Sequence, residues 1–206
     1  MEEKTNYEKD LASIRNLMER SVKVISLSGL AGVMAGLYAL AAAVYVYFQV
    51  YLEQISRSRH YFDDNPEKIY HLLAVALITL LASVSTGLYF SHRKAKRVGT
   101  SLWNSSSKRM VINLIIPLVS GGAFVLIILM HGYIGLIAPA CLLFYGLALI
   151  NASQNLFDEI RYLGYLEIVL GIISSIFIGY GLIFWAVGFG VLHIVYGVLM
   201  YRKYDA

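Results

Sequence analysis

Residues 72–78 read LLAVALI, a run without a polar face that lies inside a longer apolar stretch from 70 to 90. A soluble helix of this length carries a polar stripe with a period of about 3.6 residues, and this stretch carries none. About 20 apolar residues are what a helix needs to cross the ~30 Å hydrocarbon core of a bilayer. The stretch therefore predicts a transmembrane helix.

Five further stretches have the same character, and together they predict six spans, at residues 24–48, 70–90, 110–130, 134–152, 162–179 and 181–201. Charged residues make up 15% of the 206-residue chain, against roughly 25% in soluble domains. Glu167 is the only one inside a span. We expect an all-α integral membrane protein. A similarity between FYGLA at 144–148 and VYGVL at 195–199 suggests repeated helical hairpins.

The positive charges orient the chain. Fourteen of the 17 lysines and arginines lie before the first span, between spans two and three, between spans four and five, or after span six. Cytoplasmic loops carry an excess of Lys and Arg. Both termini are therefore predicted to be cytoplasmic, with a cytoplasmic segment at 1–23 and a transmembrane domain at 24–206.

The N-terminal segment is predicted to be an amphipathic helix. Thr5 and Glu8 match a capping box, and apolar residues recur at three- and four-residue steps from Tyr7 to Val22. Such a helix either binds a partner or the membrane surface, or extends span one and packs on its neighbours. Its mixed charges favour the second alternative.

Two loops could bind ions or lipids. His60, Asp63 and Asp64 lie in the external loop 52–69, but their spacing matches no zinc or EF-hand pattern, so we expect no metal site. The basic loop at 93–109 could attract anionic lipid headgroups. Membrane orientation alone accounts for its charge, and we expect no nucleic acid partner and no cofactor.

Two short turns fix which residues lie at equal depth, because they force neighbouring spans to run antiparallel. For a turn centred on residue 180, Glu167 and His193 lie at one depth. Small residues flank both positions and would let two helices approach closely. These residues are Gly164, Gly171, Ser174, Ser175, Gly190 and Gly197.

The pair has two interpretations. An ionisable group inside a membrane is costly and marks a functional site by default, so Glu167 and His193 could form part of a proton relay or line a binding site. The alternative, which we favour from the sequence, is an interhelical hydrogen bond that locks the last hairpin.

A second turn, centred on residue 132, pairs Asn113 with Asn151 at the cytoplasmic edge. Gln154 and Asn155 continue this polar patch, for which interfacial capping is the simpler explanation. Pro117 and Pro139 are potential kinks. In span one, Gly29, Gly32 and Gly36 form a small face that is expected to pack within the subunit or across a homo-oligomer.

The hairpin 162–201, with Gly171-Ile172-Ile173 before its turn and Gly188-Phe189-Gly190-Val191-Leu192 after it, resembles the repeating unit of the HdeD-like acid-resistance membrane proteins. That resemblance implies six spans built from helical hairpins, a bacterial inner membrane and a role in envelope stress.

The sequence contains no HExxH, GxSxG, P-loop or CxxC pattern, which favours a non-catalytic role. We expect a structural or stress-response protein of the cell membrane. A small transporter or channel, proton-linked through Glu167 and His193, is the alternative.

Overall fold

A computed structural model describes residues 28–51, 66–99, 103, 105–153 and 157–205. Within these ranges the chain is helical and contains no strand. The helices are α1 (Gly29–Val46), α2 (Pro66–Val98), α3 (Ser105–Met130), α4 (Ile137–Ala152), α5 (Asp158–Ile176), α6 (Gly181–Trp185) and α7 (His193–Tyr204). The predicted N-terminal helix and His60, Asp63 and Asp64 lie outside the described residues.

Short segments of other helix types extend or join these elements. A π-helical segment, Tyr47–Tyr51, follows α1, and a 3-10 turn, Ile134–Leu136, precedes α4. A second π-helical segment, Ala186–Leu192, connects α6 to α7. Residues 181–204 therefore form one continuous C-terminal helix with a π-helical middle.

Among the described residues, five helices are long and apolar enough to cross a membrane: Gly29–Gln49, Ile69–Arg97, Ser107–Met130, Ile134–Ala152 and Gly181–Tyr204. This set is compatible with a multi-pass membrane protein. The predicted fifth span coincides with α5, which does not belong to the set because Asp158, Glu159, Arg161 and Glu167 interrupt its apolar character.

The basic region at 93–109 corrects one expectation. It is not one loop, because α2 continues to Val98 and α3 already begins at Ser105. Lys and Arg are good helix formers, and cations at a helix C-terminus interact favourably with its dipole. At 33 residues α2 is about 50 Å long, well beyond the ~30 Å of a bilayer core.

Close backbone contact joins α1 to the C-terminal helix. A Cβ atom built on Gly36 would lie 2.6 Å from the carbonyl oxygen of Gly190, and one on Gly197 would lie 2.5 Å from the amide nitrogen of Val33. Gly32 faces the same helix, with its Cβ position 3.2 Å from the Cα of Gly197. The glycine face of span one therefore packs inside the subunit.

A second close contact joins α4 to α5. A Cβ atom on Gly146 would lie 2.6 Å from the carbonyl oxygen of Gly164, and one on Gly171 would lie 3.1 Å from the carbonyl oxygen of Pro139. The remaining long helices pack outside these two pairs, α2 on α1 and α3 on α4. Contacts between the two glycine-joined pairs are less extensive than contacts within them.

Substitution of Gly197 by alanine tests the first contact. The new methyl group would meet backbone atoms, which cannot move aside as a flexible side chain can. We expect Gly197→Ala to lower the free energy of unfolding by about 1–3 kcal/mol, measured by thermal unfolding in detergent. Gly122→Ala is the control, because no described atom lies within 4 Å of its Cβ position. Equal stability of both variants would contradict the close contact.

Candidate functional site

Glu167 is the most unusual buried residue of the described chain. Its exposed fraction is 0%, and neither carboxyl oxygen has a hydrogen-bond partner among the described residues. Buried polar groups in proteins are nearly always hydrogen-bonded, and an exception calls for an explanation. The helix that carries this carboxyl group, α5, packs closely on α4 through Gly164 and Gly171.

Gly188 provides the space for the carboxyl group. A Cβ atom at this position would lie 2.5 Å from Oε2 of Glu167 and 2.5 Å from Cδ2 of Leu142. Gly188 belongs to the π-helical segment Ala186–Leu192. Segments of this kind are rare and frequently lie at functional sites.

His193, the first residue of α7, connects Gly188 to α4. Its Nδ1 atom lies 2.9 Å from the carbonyl oxygen of Gly188, and its Nε2 atom lies 2.7 Å from the hydroxyl oxygen of Tyr145. A carbonyl oxygen only accepts, so Nδ1 carries the hydrogen. In the neutral ring Nε2 then accepts a hydrogen bond from Tyr145. These roles are assigned from the partners.

The structure brings Glu167 and His193 together, with 3.6 Å between Oε1 and Nδ1. This distance is too long for a hydrogen bond but within reach of an ion pair. We name Tyr145, Glu167, Gly188 and His193 the Glu167 site. Its three titratable side chains come from α4, α5 and the C-terminal helix.

Apolar and aromatic groups enclose the Glu167 site. The ring of Phe189 lies 4.9 Å from that of Tyr145 and 5.9 Å from that of His193, between centroids. Leu142 is completely buried. No group of three metal-binding side chains occurs in the described part of the chain. The chemistry that this arrangement supports is gain, loss or transfer of a proton.

The flanking small residues have other neighbours than the sequence argument assumed. From the sequence, these residues were expected to bring spans five and six together. The structure instead places Gly164 and Gly171 against α4, and Gly190 and Gly197 against α1. The correction follows from a general property of small residues, which permit close approach without specifying the partner.

The two serines of α5 differ from each other. Ser175 donates a hydrogen bond to the carbonyl oxygen of Ile172 over 2.7 Å. Ser174 is 1% exposed, and its hydroxyl has no hydrogen-bond partner among the described residues. Ser174 therefore shares with Glu167 the property of a buried polar group without a partner.

Asn113 and Asn151 form a reciprocal pair between α3 and α4. The side-chain amide of Asn151 donates to the carbonyl oxygen of Asn113 over 2.8 Å, and Asn113 donates to that of Asn151 over 3.4 Å. Pro117 lies four residues after Asn113 and has no N–H, so it frees this carbonyl inside α3. Asn151 thus satisfies an acceptor that Pro117 exposes. Gln154 and Asn155 lie outside the described residues.

Pro139 does not interrupt a helix. It occupies the first turn of α4, which begins at Ile137. The amide groups of a first turn have no intrahelical acceptor, so a proline there removes no helix hydrogen bond.

Asp205 joins three helix ends and was not found from the sequence. Its Oδ2 atom accepts hydrogen bonds from the Ser28 hydroxyl over 3.1 Å and from the Gly29 amide over 2.8 Å. Its Oδ1 atom pairs with Lys94 of α2. A carboxylate at the N-terminus of α1 also interacts favourably with the helix dipole. No local sequence pattern relates residues this far apart.

Glu159 makes a further connection at the same end of the molecule. It accepts hydrogen bonds from Lys203 over 2.6 Å and from Tyr204 over 3.2 Å. Burial acts to raise the pKa of Glu159, but these hydrogen bonds outweigh it and hold the pKa below its ordinary value. The carboxylate is therefore charged at neutral pH and ties α5 to α7.

Tyr145 and Gly188 are the members of the Glu167 site that were not predicted as site residues from the sequence. A tyrosine in mid-span carries a hydroxyl group that needs a partner, and this signal was available for Tyr145. Gly188 is one of 17 glycines, and nothing in its immediate sequence marks it as the neighbour of a carboxyl group.

Comparisons with known protein families, with curated proteins and with solved structures find no match to this chain.

A double-mutant cycle tests the link between Pro117 and Asn151. Asn151→Ala leaves the Asn113 carbonyl without its donor and should cost about 1 kcal/mol of stability. In a Pro117→Ala background, residue 117 regains an N–H that can bond this carbonyl, so the same change should cost less. Thermal unfolding in detergent measures both differences. Identical costs in the two backgrounds would contradict the link.

Proposed function

We propose that this chain is a non-catalytic, six-span protein of the cell membrane whose helix packing responds to protonation of Glu167. The observation that carries the proposal is a fully buried carboxyl group with two unpartnered oxygens. This group stands between two helix pairs that are each held by close backbone contact.

A charge on Glu167 carries a free-energy cost in this site. An ionised carboxylate in a membrane-embedded site costs at least about 2.5–3.5 kcal/mol on insertion scales, and hydrogen bonds that would offset this cost are absent among the described residues. Packing as described therefore fits the protonated acid. Loss of the proton requires a counter-charge or a rearrangement that admits water.

His193 is the available counter-charge. A proton gained at Nε2 would turn this atom into a donor, so the Tyr145 hydroxyl would have to accept instead of donate. The hydrogen bond that ties α4 to the C-terminal helix would then reverse its direction. Transfer of a proton from Glu167 to His193 is in this way coupled to contacts of three helices.

The membrane topology belongs to the same proposal. We take α5 as the sixth membrane-crossing helix, because a span there puts both chain ends on the side richer in Lys and Arg. The cytoplasmic ends would then include the connections made by Asp205 and Glu159. The bilayer is the obligatory partner, and the exposed residues Arg93, Lys96 and Arg97 are suited to anionic headgroups.

The resemblance to HdeD-like proteins extends this proposal to a bacterial inner membrane and to envelope stress. A homo-oligomer remains compatible with the apolar outer faces of α2 and α3, which each pack on one long helix. The glycine face of α1 is not the surface for such an assembly, because it is occupied inside the subunit.

A proton-linked transporter or channel is the second candidate. The observation in its favour is the π-helical segment beside Glu167, since irregular helices often mark transport sites. Against it, the three titratable side chains lie side by side on neighbouring helices. They link these helices laterally and do not form a path across the bilayer.

The pH dependence of stability tests the role of Glu167. The folded chain holds a proton on Glu167 that the unfolded chain releases, so stability should fall as pH rises from about 5 to 9. Glu167→Gln keeps the shape without the ionisable group and should remove most of this dependence. Thermal unfolding in detergent provides the measurement.

Glu159→Gln is the matched control, because it removes a carboxylate whose pKa is lowered in the folded chain. The stability that such a carboxylate contributes is lost only as pH falls. Glu159→Gln should leave the slope at alkaline pH unchanged. The proposal fails if wild type and Glu167→Gln show the same slope there.

Proton flux in liposomes separates the two candidate functions. If the protein is structural and proton-responsive, liposomes that contain the wild-type protein should release no more protons than liposomes that contain Glu167→Gln. A pH-driven flux that depends on Glu167 would favour the transporter and replace the first candidate.

A further inference from the structure

One face of α5 carries two buried polar groups without partners. Ser174 follows Glu167 by seven residues, which is about two helical turns, so the two side chains share a face about 10 Å apart. Both lack a hydrogen-bond partner among the described residues. A serine in a helix ordinarily bonds a carbonyl of the preceding turn, as Ser175 does.

The opposite direction along the same face is apolar. Ile160 and Leu163, 6% and 7% exposed, lie between Glu167 and the start of α5. They belong to the main hydrophobic cluster of the described residues, whose other buried members are Leu149, Ala152 and Met200. This cluster lies on the side of the molecule that carries the ends of α4 and α7.

We infer that protons reach Glu167 from the side of the membrane where α5 ends, by way of the Ser174 hydroxyl, and that the hydrophobic cluster closes the path from the other side. Ser174 is two residues from the end of α5, and the turn that follows, Phe177–Tyr180, is exposed. The inference rests on the proposed protonation of Glu167.

The proton balance of this path is simple. A hydroxyl group donates one hydrogen bond and accepts others, so Ser174 can accept a proton from a hydronium ion at the turn, which becomes water, while it passes its own proton towards Glu167. Intervening water must enter to cover the remaining distance, and the close contact of Gly171 with α4 must loosen to admit it. The net result is one proton on Glu167, with no oxidation or reduction.

Other titratable groups face Glu167 from the elements packed against α5. They are Tyr145 of α4 and His193 of the C-terminal helix, which bond to each other. His193 in addition bonds Gly188. Neither lies on the α5 face between Glu167 and the turn. Tyr145 and His193 therefore respond after the proton has reached Glu167, whereas Ser174 takes part in its delivery.

Labelling with a hydrophobic carbodiimide, which attacks protonated carboxyl groups, tests the inference. Wild-type protein is reconstituted in liposomes, and a C-terminal affinity tag selects the liposomes in which the protein has a single orientation. The pH is then set separately on each side of the membrane. Mass spectrometry then measures the labelled fraction of Glu167. We expect this fraction to follow the pH on the side of the Phe177–Tyr180 turn, the side opposite to the tag.

Ser174→Ala should slow the response of labelling to a pH jump on that side several-fold and leave the labelled fraction at equal pH on both sides unchanged. A structural role of Ser174 would move the equilibrium fraction or the unfolding temperature instead. Ser175→Ala is the matched control and should behave as wild type. Labelling that follows the pH on the tag side, or identical rates for both serine variants, would overturn the inference.

A separate outcome addresses the proposed function. If Glu167 stays unlabelled at every pH when the pH is equal on both sides, the proposed protonation of Glu167 is wrong, and the inference is wrong with it. If labelling varies with pH but ignores the turn side, the proposed function stands and the path through Ser174 is wrong.

Discussion

Close contact between helix backbones is the constraint on which the Glu167 site depends. Gly146 and Gly164 bring α4 and α5 together, while Gly36 and Gly190 bring α1 and the C-terminal helix together. In lipid, such packing replaces the hydrophobic effect as a source of helix association. Each of these two helix pairs is therefore one closely packed unit. Glu167 stands on the surface of one unit and Gly188 on the surface of the other.

The division into two helix pairs explains why a carboxyl group is tolerated at the boundary between them. Contacts between the two units are less extensive than contacts inside them, so the boundary is where a small displacement costs least. The π-helical segment adds to this effect, because it places Gly188, which has no side chain, opposite the carboxyl oxygen of Glu167. A charge that forms on Glu167 acts at the place where the packing yields most easily.

Local chain geometry was predictable from the sequence, and long-range partners were not. Short turns set the depth of Glu167 against His193, and the same rule paired Asn113 with Asn151; both contacts occur. The partners of the glycine faces depend on which helices become neighbours, and spacing within one helix does not encode that. Asp205 illustrates the limit, because it bonds Gly29 at the other end of the described chain. The helical extension of α2 was missed because its basic residues were assigned to a loop by charge alone.

The asymmetry of the α5 face bears on the choice between the two proposed functions. A carrier must expose its site to each side in turn, and the hydrophobic cluster at Ile160 and Leu163 opposes access from one of them. Opening that side would break the main apolar core together with the nearby hydrogen bonds of Glu159. A sensor needs access from one side only, and it can report through the reversed Tyr145–His193 hydrogen bond without opening the other. For this reason the arrangement of apolar and polar groups along α5 favours a proton-responsive protein over a transporter.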